Sequence, residues 1–168
     1  MGRWRPAPAK SSPYITSAGF EILRSELDAL WIRRREVTLH LSAAAAEGDR
    51  SENAEYIYRK KELAGIDRRI RYLQKRLPEL KIISTVPTNP EQVFFGAQVM
   101  LRLENGQEEQ YRIVGPDEFD PSRNRISIDS PLARGLLKKT IDDEVVVTTP
   151  AGQTRYSIVD VSYQSSED

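Results

Sequence analysis

Between residues 16 and 47, apolar side chains recur at Phe20, Leu23, Leu27, Leu30, Val37, Leu41 and Ala44, with Arg34 filling one slot. Steps of three and four trace a narrow heptad seam rather than the broad stripe of an ordinary surface helix. Thr16 or Ser17 offers an N-cap, the alanine run 43–46 raises helix propensity, and Gly48 is placed to end the helix. A second seam of Tyr56, Leu63, Ile66, Ile70, Leu73 and Leu77 predicts a helix over 52–77. Arg59 fills one slot of that seam, Gly65 lies inside the helix, and Pro78 marks its end. The short connection 48–51 joins the two helices into an antiparallel hairpin. Thirty helical residues rise about 45 Å. The expectation is a long, thin coiled coil with charged outer faces.

After residue 80 the helical period vanishes. Short β-rich runs take over at 81–86, 93–95, 98–103, 110–114, 125–128, 144–148 and 155–161. Asn105-Gly106 predicts a type I′ hairpin turn, and Pro150-Ala151-Gly152 a turn between the last two strands. Ser130 and Pro131 read as the N-cap and first position of one short helix over 131–139. The fold class is therefore α+β: an N-terminal antiparallel coiled coil, then a small antiparallel-sheet domain with one short helix. The boundaries expected are a flexible basic tail over 1–13, the coiled coil over 14–80 and the sheet domain over 81–168. Pro6, Pro8 and Pro13 interrupt regular structure in the tail.

Composition narrows the chemistry. The absence of cysteine removes disulfides, thiolate metal sites and cysteine nucleophiles. His40 is the single histidine, which excludes a histidine-cluster metal site. No run approaches the ~18 apolar residues of a membrane span, and residues 1–13 lack the apolar core of a secretory signal. A soluble cytoplasmic protein is expected. The net charge is zero, yet the first 80 residues carry 16 Lys/Arg against 11 Asp/Glu, and the remainder 9 against 14. Such a division suggests two modules with different partners.

Two clusters stand out. Asp49 and Glu52, at the turn between the helices, are spaced i,i+3, which puts their Cβ atoms about 5–6 Å apart. Two carboxylates at that spacing can ligate a hard cation such as Mg²⁺, but an octahedral shell needs more oxygens, so a second body must supply them. The same spacing fits a capping box, with Asp49 as N-cap and Glu52 reaching back to its amide. Both readings stand. On the second helix, Lys61, Arg68 and Lys75 recur by sevens and form a stripe, with Lys60 and Arg69 beside it. Such a stripe can contact phosphates with little base preference, or simply keep a coiled coil soluble. Tyr56 and Tyr58 could stack on a base, although Tyr56 also fits the seam as a packing residue. His40 reads as a surface residue.

The blocks GDRSENAEYIYRKK (48–61), IDRRIRYL (66–73), VFFGAQV (93–99) and ISIDSPLARGLLKK (126–139) closely resemble the Gre transcript-cleavage factors of bacteria, of the GreB type. VVVTTPAG (145–152) also fits, and the resemblance spans about residues 14–163. It implies that the sheet domain is FKBP-like. It implies a transcription elongation factor that is not itself an enzyme and that binds RNA polymerase at the mouth of its secondary channel. There it would stimulate the polymerase's own Mg²⁺-dependent cleavage of backtracked RNA. Asp49 and Glu52 match the family's two essential tip acids, sharing a Mg²⁺ only with the polymerase. Asp129, Ser130 and Pro131 match the loop that docks on the polymerase's largest subunit. The stripe of Lys60, Lys61, Arg68, Arg69 and Lys75 matches the patch that meets the nascent RNA 3′ end. DNA of the elongation complex is a further candidate contact, and a monomer is expected. The alternative is a channel binder that modulates or inhibits the polymerase without cleavage. Three features depart from the family pattern: the proline-bearing tail, Ala64-Gly65 before Ile66, and Pro78.

Overall fold

A computed structural model describes residues 9–46 and 54–164. They divide into two compact units, Ala18–Leu80 and a second that joins the segment ending at Ser17 to the chain from Lys81 onward.

The helical unit holds α1, Ser17–Ala46, and α2, Ala54–Arg76. Pro78, which has no amide hydrogen to donate, closes α2 into a 3-10 turn over Leu77–Glu79. Gly65 is accommodated without interrupting α2. The seam is the observed contact. Val37, Ile66 and Ile70 are buried, and Leu27, Leu30, Leu41 and Leu63 pack around them. Three ion pairs between the helices fix the register. The Arg69 guanidinium grips Glu26 through two bonds of 2.6 and 2.9 Å. Arg33 Nε donates to Glu62 at 2.7 Å, and Arg34 Nε to Asp67 at 2.7 Å. Passing from the first pair to the second advances along α1 and retreats along α2 by equal steps, as antiparallel helices require. These groups are only partly buried and remain in contact with solvent, so each pair contributes about 1 kcal/mol or less and chooses the register more than it stabilises the unit.

In the other unit, β1 (Tyr14–Ile15) pairs in parallel with β2 (Lys81–Ile82). A five-stranded sheet has the order β5-β4-β3-β7-β6. Its strands are β3 (Gln98–Leu103), β4 (Glu108–Val114), β5 (Arg125–Ser127), β6 (Glu144–Thr149) and β7 (Gly152–Ser162). Every neighbouring pair in it is antiparallel except β4 with β5. The one short helix, α3, spans Pro131–Leu136 with Ser130 as its N-cap, and Ser130 Oγ accepts from Ala133 N–H at 3.2 Å. Ala133 and Leu136 press against Val99, Leu101, Ile113, Val145, Val147, Ile158 and Val161 to form the core. Ile158 and Val161 are an odd number of residues apart yet both buried. The ladder explains this: the register slips between Met100 and Leu101, so Leu101 faces Ile158 while Val99 faces Val161. One extra residue in β7 returns the apolar side to the core.

Two local expectations are corrected. The expected strand over 93–95 forms no ladder: Val93 N–H donates to Lys139 O at 2.8 Å, and the chain then turns at Gly96, whose φ is 84°. At Asn105-Gly106 only Gly106 has a positive φ, 84°. Gly106 N–H bonds to Leu103 O, and Leu103 N–H to Gln107 O, both at 2.9 Å. The loop is thus a three-residue turn closing on a glycine bulge, not a type I′ turn, which needs positive φ at both central residues.

Tyr111, Tyr156 and Tyr163 pack against this core. Burial is the first cause that raises all three phenol pKa values above the ordinary value of about 10. The 2.6 Å bond from the Tyr111 hydroxyl to Glu109 reinforces the shift there, and the charge of Glu109 does so at Tyr156. At Tyr163 the Phe94 amide opposes it by donating to the phenol oxygen at 2.9 Å. With folded-state pKa values raised, the folded unit holds more protons than the unfolded chain above about pH 10, so stability is lost as pH climbs past that point. The melting temperature of the sheet unit should stay level from about pH 7 to 9 and drop beyond about 10. Tyr156→Phe should flatten that alkaline decline.

Candidate functional site

Chemistry in the helical unit is distributed along α2. Lys60, Lys61, Arg68 and Lys75 are exposed, and among the described residues none has a carboxylate within ion-pair distance. Arg69 has a different place. Its guanidinium is committed to Glu26 and lies 5.2 Å from the Tyr72 ring centroid, where the ring face attracts the cation. Spacing alone cannot distinguish a free cation from one used to hold two helices together.

Tyr56 is half-buried. With His40, Leu41, Ala43, Ala44, Glu55 and Arg59 it lines a shallow groove across both helices. Its ring therefore belongs to the packed end of the seam, whereas Tyr58 is 65% exposed. His40 is exposed. Arg59 lies between Glu55 and Glu62, at 3.7 and 3.5 Å, while its Nε has no acceptor among the described residues. Asp49 and Glu52 lie outside the described residues. Among the described residues no three carboxylate or histidine side chains converge on a point that could hold a metal ion.

In the sheet unit, a short strap of chain ahead of α1 is bound across the loops that follow β4 and β5. Ser12 donates its amide to Asp129 Oδ2 at 2.9 Å and its hydroxyl to Asp129 Oδ1. Pro13 O accepts from Lys81 N–H at 2.7 Å, and Ile15 O from Ile83 N–H at 2.9 Å. Ile15 is fully buried, and the Tyr14 ring lies 6.1 Å from that of Phe95. Thr16 repeats the Ser12 pattern on a second carboxylate, with its amide to Glu118 Oε2 at 3.1 Å and its hydroxyl to Glu118 Oε1. Glu118 Oε2 also accepts from Gly115 N–H at 2.9 Å. Two hydroxyl residues four apart thus hold two carboxylates more than a hundred residues away.

Asp129 and Ser130 lie in the loop before α3, and Pro131 is the first residue of that helix. Asp129 N–H donates to Ser127 Oγ at 3.1 Å, and Ser130 N–H to Ser127 O at 2.9 Å. Pro131 is exposed at the first helical position, where its missing amide hydrogen costs nothing. The loop is a rigid corner with one carboxylate, one hydroxyl and one pyrrolidine ring at its edge. The involvement of Ser12, Thr16 and Glu118 was not legible in the sequence. Hydroxyls beside a proline resemble any polar tail, and nothing local marks partners so distant.

Known proteins agree with this two-part layout. Residues 13–82 match the family model described as "Transcription elongation factor, N-terminal", and residues 87–163 that described as "Transcription elongation factor, GreA/GreB, C-term". Both halves are therefore those of a transcription elongation factor. The chain belongs to the GreA/GreB family. Transcription elongation factor GreB of Xanthomonas axonopodis pv. citri is 58% identical over 167 residues, covering 98% of this chain and 99% of that protein. GreB of Pseudomonas aeruginosa is 53% identical, covering 97% and 98%. Among solved structures, the GreA factor homolog 1 (Gfh1) of Thermus thermophilus is 26% identical, with coverage of 88% and 97% and a TM-score of 0.41.

Proposed function

We propose that this protein binds RNA polymerase at its secondary channel and stimulates the polymerase's own Mg²⁺-dependent cleavage of backtracked RNA. Arrested complexes regain a usable RNA 3′ end. The observation that carries the reading is the acidic pair Asp49 and Glu52, in a chain that matches GreB factors along nearly its whole length.

The chemistry rests on oxygen donors. Mg²⁺ supplies stabilisation of the attacking and leaving oxygens of a phosphodiester. Asp49 and Glu52 offer carboxylate oxygens, the donor class this ion takes, but two donors leave most of an octahedral shell for the polymerase to fill. The same carboxylates accept hydrogen bonds from a water and orient it for attack. Without the polymerase the acids have nothing to complete, so the protein is an activator of a nuclease and not a nuclease. Asp129, Ser130 and Pro131 dock on the polymerase's largest subunit. Lys60, Lys61, Arg68 and Lys75 follow the phosphates of the extruded 3′ RNA.

The test is to add the protein and Mg²⁺ to stalled elongation complexes carrying 3′-labelled RNA. Short labelled fragments should be released, and none should form from free RNA without polymerase. Blocked extension with no fragments would instead identify a non-cleaving channel binder.

The basic stripe gives a separate expectation. Neutralising Lys61, Arg68 and Lys75 together to Gln should slow cleavage in deeply backtracked complexes more than in shallow ones. It should also lower the slope of log activity against log salt by roughly two, since each single-strand phosphate contact contributes about 0.7. Equal losses at both depths would count against contact with RNA.

A further inference from the structure

We propose that Ser12 is a positioning residue of the docking surface, fixing the Asp129 carboxylate in the orientation in which it meets a basic side chain of the polymerase. The inference rests on the reading of Asp129–Pro131 as the docking loop, and goes beyond it by adding a residue 117 positions away.

The backbone of that loop is already held by Ser127 and by the cap of α3. Those contacts leave the Asp129 side chain free to turn about its own torsions. Its two carboxylate donors among the described residues both come from Ser12, one on each oxygen. Bonds of a neutral donor to an ionised carboxylate are among the stronger kind, and a pair acting on both oxygens fixes the plane of the group as well as its position.

A carboxylate offers about four acceptor sites. Ser12 fills one on each oxygen, and Asp129 is half-buried rather than sealed, so the remaining sites stay open to an incoming cation. Pro131 beside it is exposed. The arrangement prepares a carboxylate for a partner rather than hiding it.

Ser12 can do this because it is not part of a loose tail. Pro13 restricts the backbone after it. Pro13 O, Ile15 O, the buried Ile15 side chain and the Thr16–Glu118 contact anchor the next four residues. Without Ser12, Asp129 would have to be ordered when the complex forms, and immobilising one such side chain costs binding a factor of roughly three to ten.

The experiment uses the full-length protein with stalled elongation complexes and reads two quantities, the half-saturating factor concentration and the plateau cleavage rate. Ser12→Ala should raise the former roughly three- to tenfold and leave the latter unchanged. Ser12→Ala keeps the backbone amide bond to Oδ2 and loses only the hydroxyl bond to Oδ1, and Ser12→Thr, which keeps that hydroxyl, should restore the parent half-saturation. Combined with Asp129→Ala, Ser12→Ala should add nothing. Thr16→Val removes only the hydroxyl bond to Glu118, while the Thr16 amide bond and the Pro13 and Ile15 anchors remain and Asp129 is untouched, so it separates positioning from general loosening; its half-saturation should stay at the wild-type value. The proposal is overturned if Ser12→Ala binds as well as or better than the parent, if its effect adds to that of Asp129→Ala, or if Thr16→Val weakens docking equally. If Asp129→Ala itself leaves half-saturation unchanged, the docking reading fails and this inference fails with it.

Discussion

Joint replacement of Asp49 by Asn and Glu52 by Gln should lower polymerase-dependent transcript cleavage by roughly a hundredfold or more. Affinity for the polymerase should stay within about twofold, because the substitutions leave the proposed docking residues Asp129, Ser130 and Pro131 unchanged. The choice of amides matters. Asn is as good an N-cap as Asp, and Gln serves in a capping box as Glu does, so any capping role of the two positions would survive. What disappears is two negative charges and their affinity for a hard cation. If the acids served only to cap the second helix, this variant would cleave normally. Single-turnover cleavage at saturating factor, with polymerase binding measured in parallel, separates the two roles. Loss of cleavage together with loss of binding would point to misfolding rather than to missing ligands.

Gly115→Ala should be the most destabilising small substitution in the sheet unit. Gly115 has φ −68° and ψ 161°, a conformation open to any residue, so the need for glycine is one of space. A Cβ built there overlaps the Tyr14 carbonyl oxygen and lies 3.1 Å from the Tyr14 carbonyl carbon. The obstacle is backbone, which cannot swing aside as a side-chain tip would. Relief requires the strap to lift, which loosens Ile15, Thr16 and Glu118 together. A cost of about 3 kcal/mol is at the upper end for overpacking, and lowers the melting temperature by roughly 6–12 °C in a chain of this size. Gly65→Ala is the matching contrast. The nearest atom to a Cβ at Gly65 is the Arg68 guanidinium at 3.8 Å, so the change should stabilise α2 by about 0.5–1 kcal/mol. Thermal unfolding of both variants decides the matter. Equal melting temperatures for Gly115→Ala and the parent would mean that the strap is not packed against the turn after β4 as described.

The coiled coil was legible because its signal is local and repeated: every three or four residues the same face must be apolar, and Val37, Ile66 and Ile70 are buried where that period requires. The cap at Ser130 was legible for the same reason, since its partner is three residues away. The strap was not, because Ser12–Asp129 and Thr16–Glu118 join positions more than a hundred residues apart. Arg69 stands beside Arg68 in the basic patch read from the sequence, and it is the Glu26 carboxylate on the other helix that sets it apart. Asn105-Gly106 marked a hairpin correctly but not its type, because the added turn residue depends on how β3 and β4 are in register. Of the candidate site residues, the Asp129–Pro131 corner has a described geometry, whereas Asp49 and Glu52 rest on sequence.

The central claim is that carboxylates of this chain complete a metal site belonging to the polymerase, and a magnesium titration of cleavage in a backtracked complex tests it most directly. With saturating wild-type protein, half-maximal cleavage should need several-fold less Mg²⁺ than polymerase alone, and the Asp49→Asn, Glu52→Gln variant should return the curve to that of polymerase alone. An unchanged magnesium midpoint with the wild-type protein, whatever happens to the plateau rate, would contradict the account.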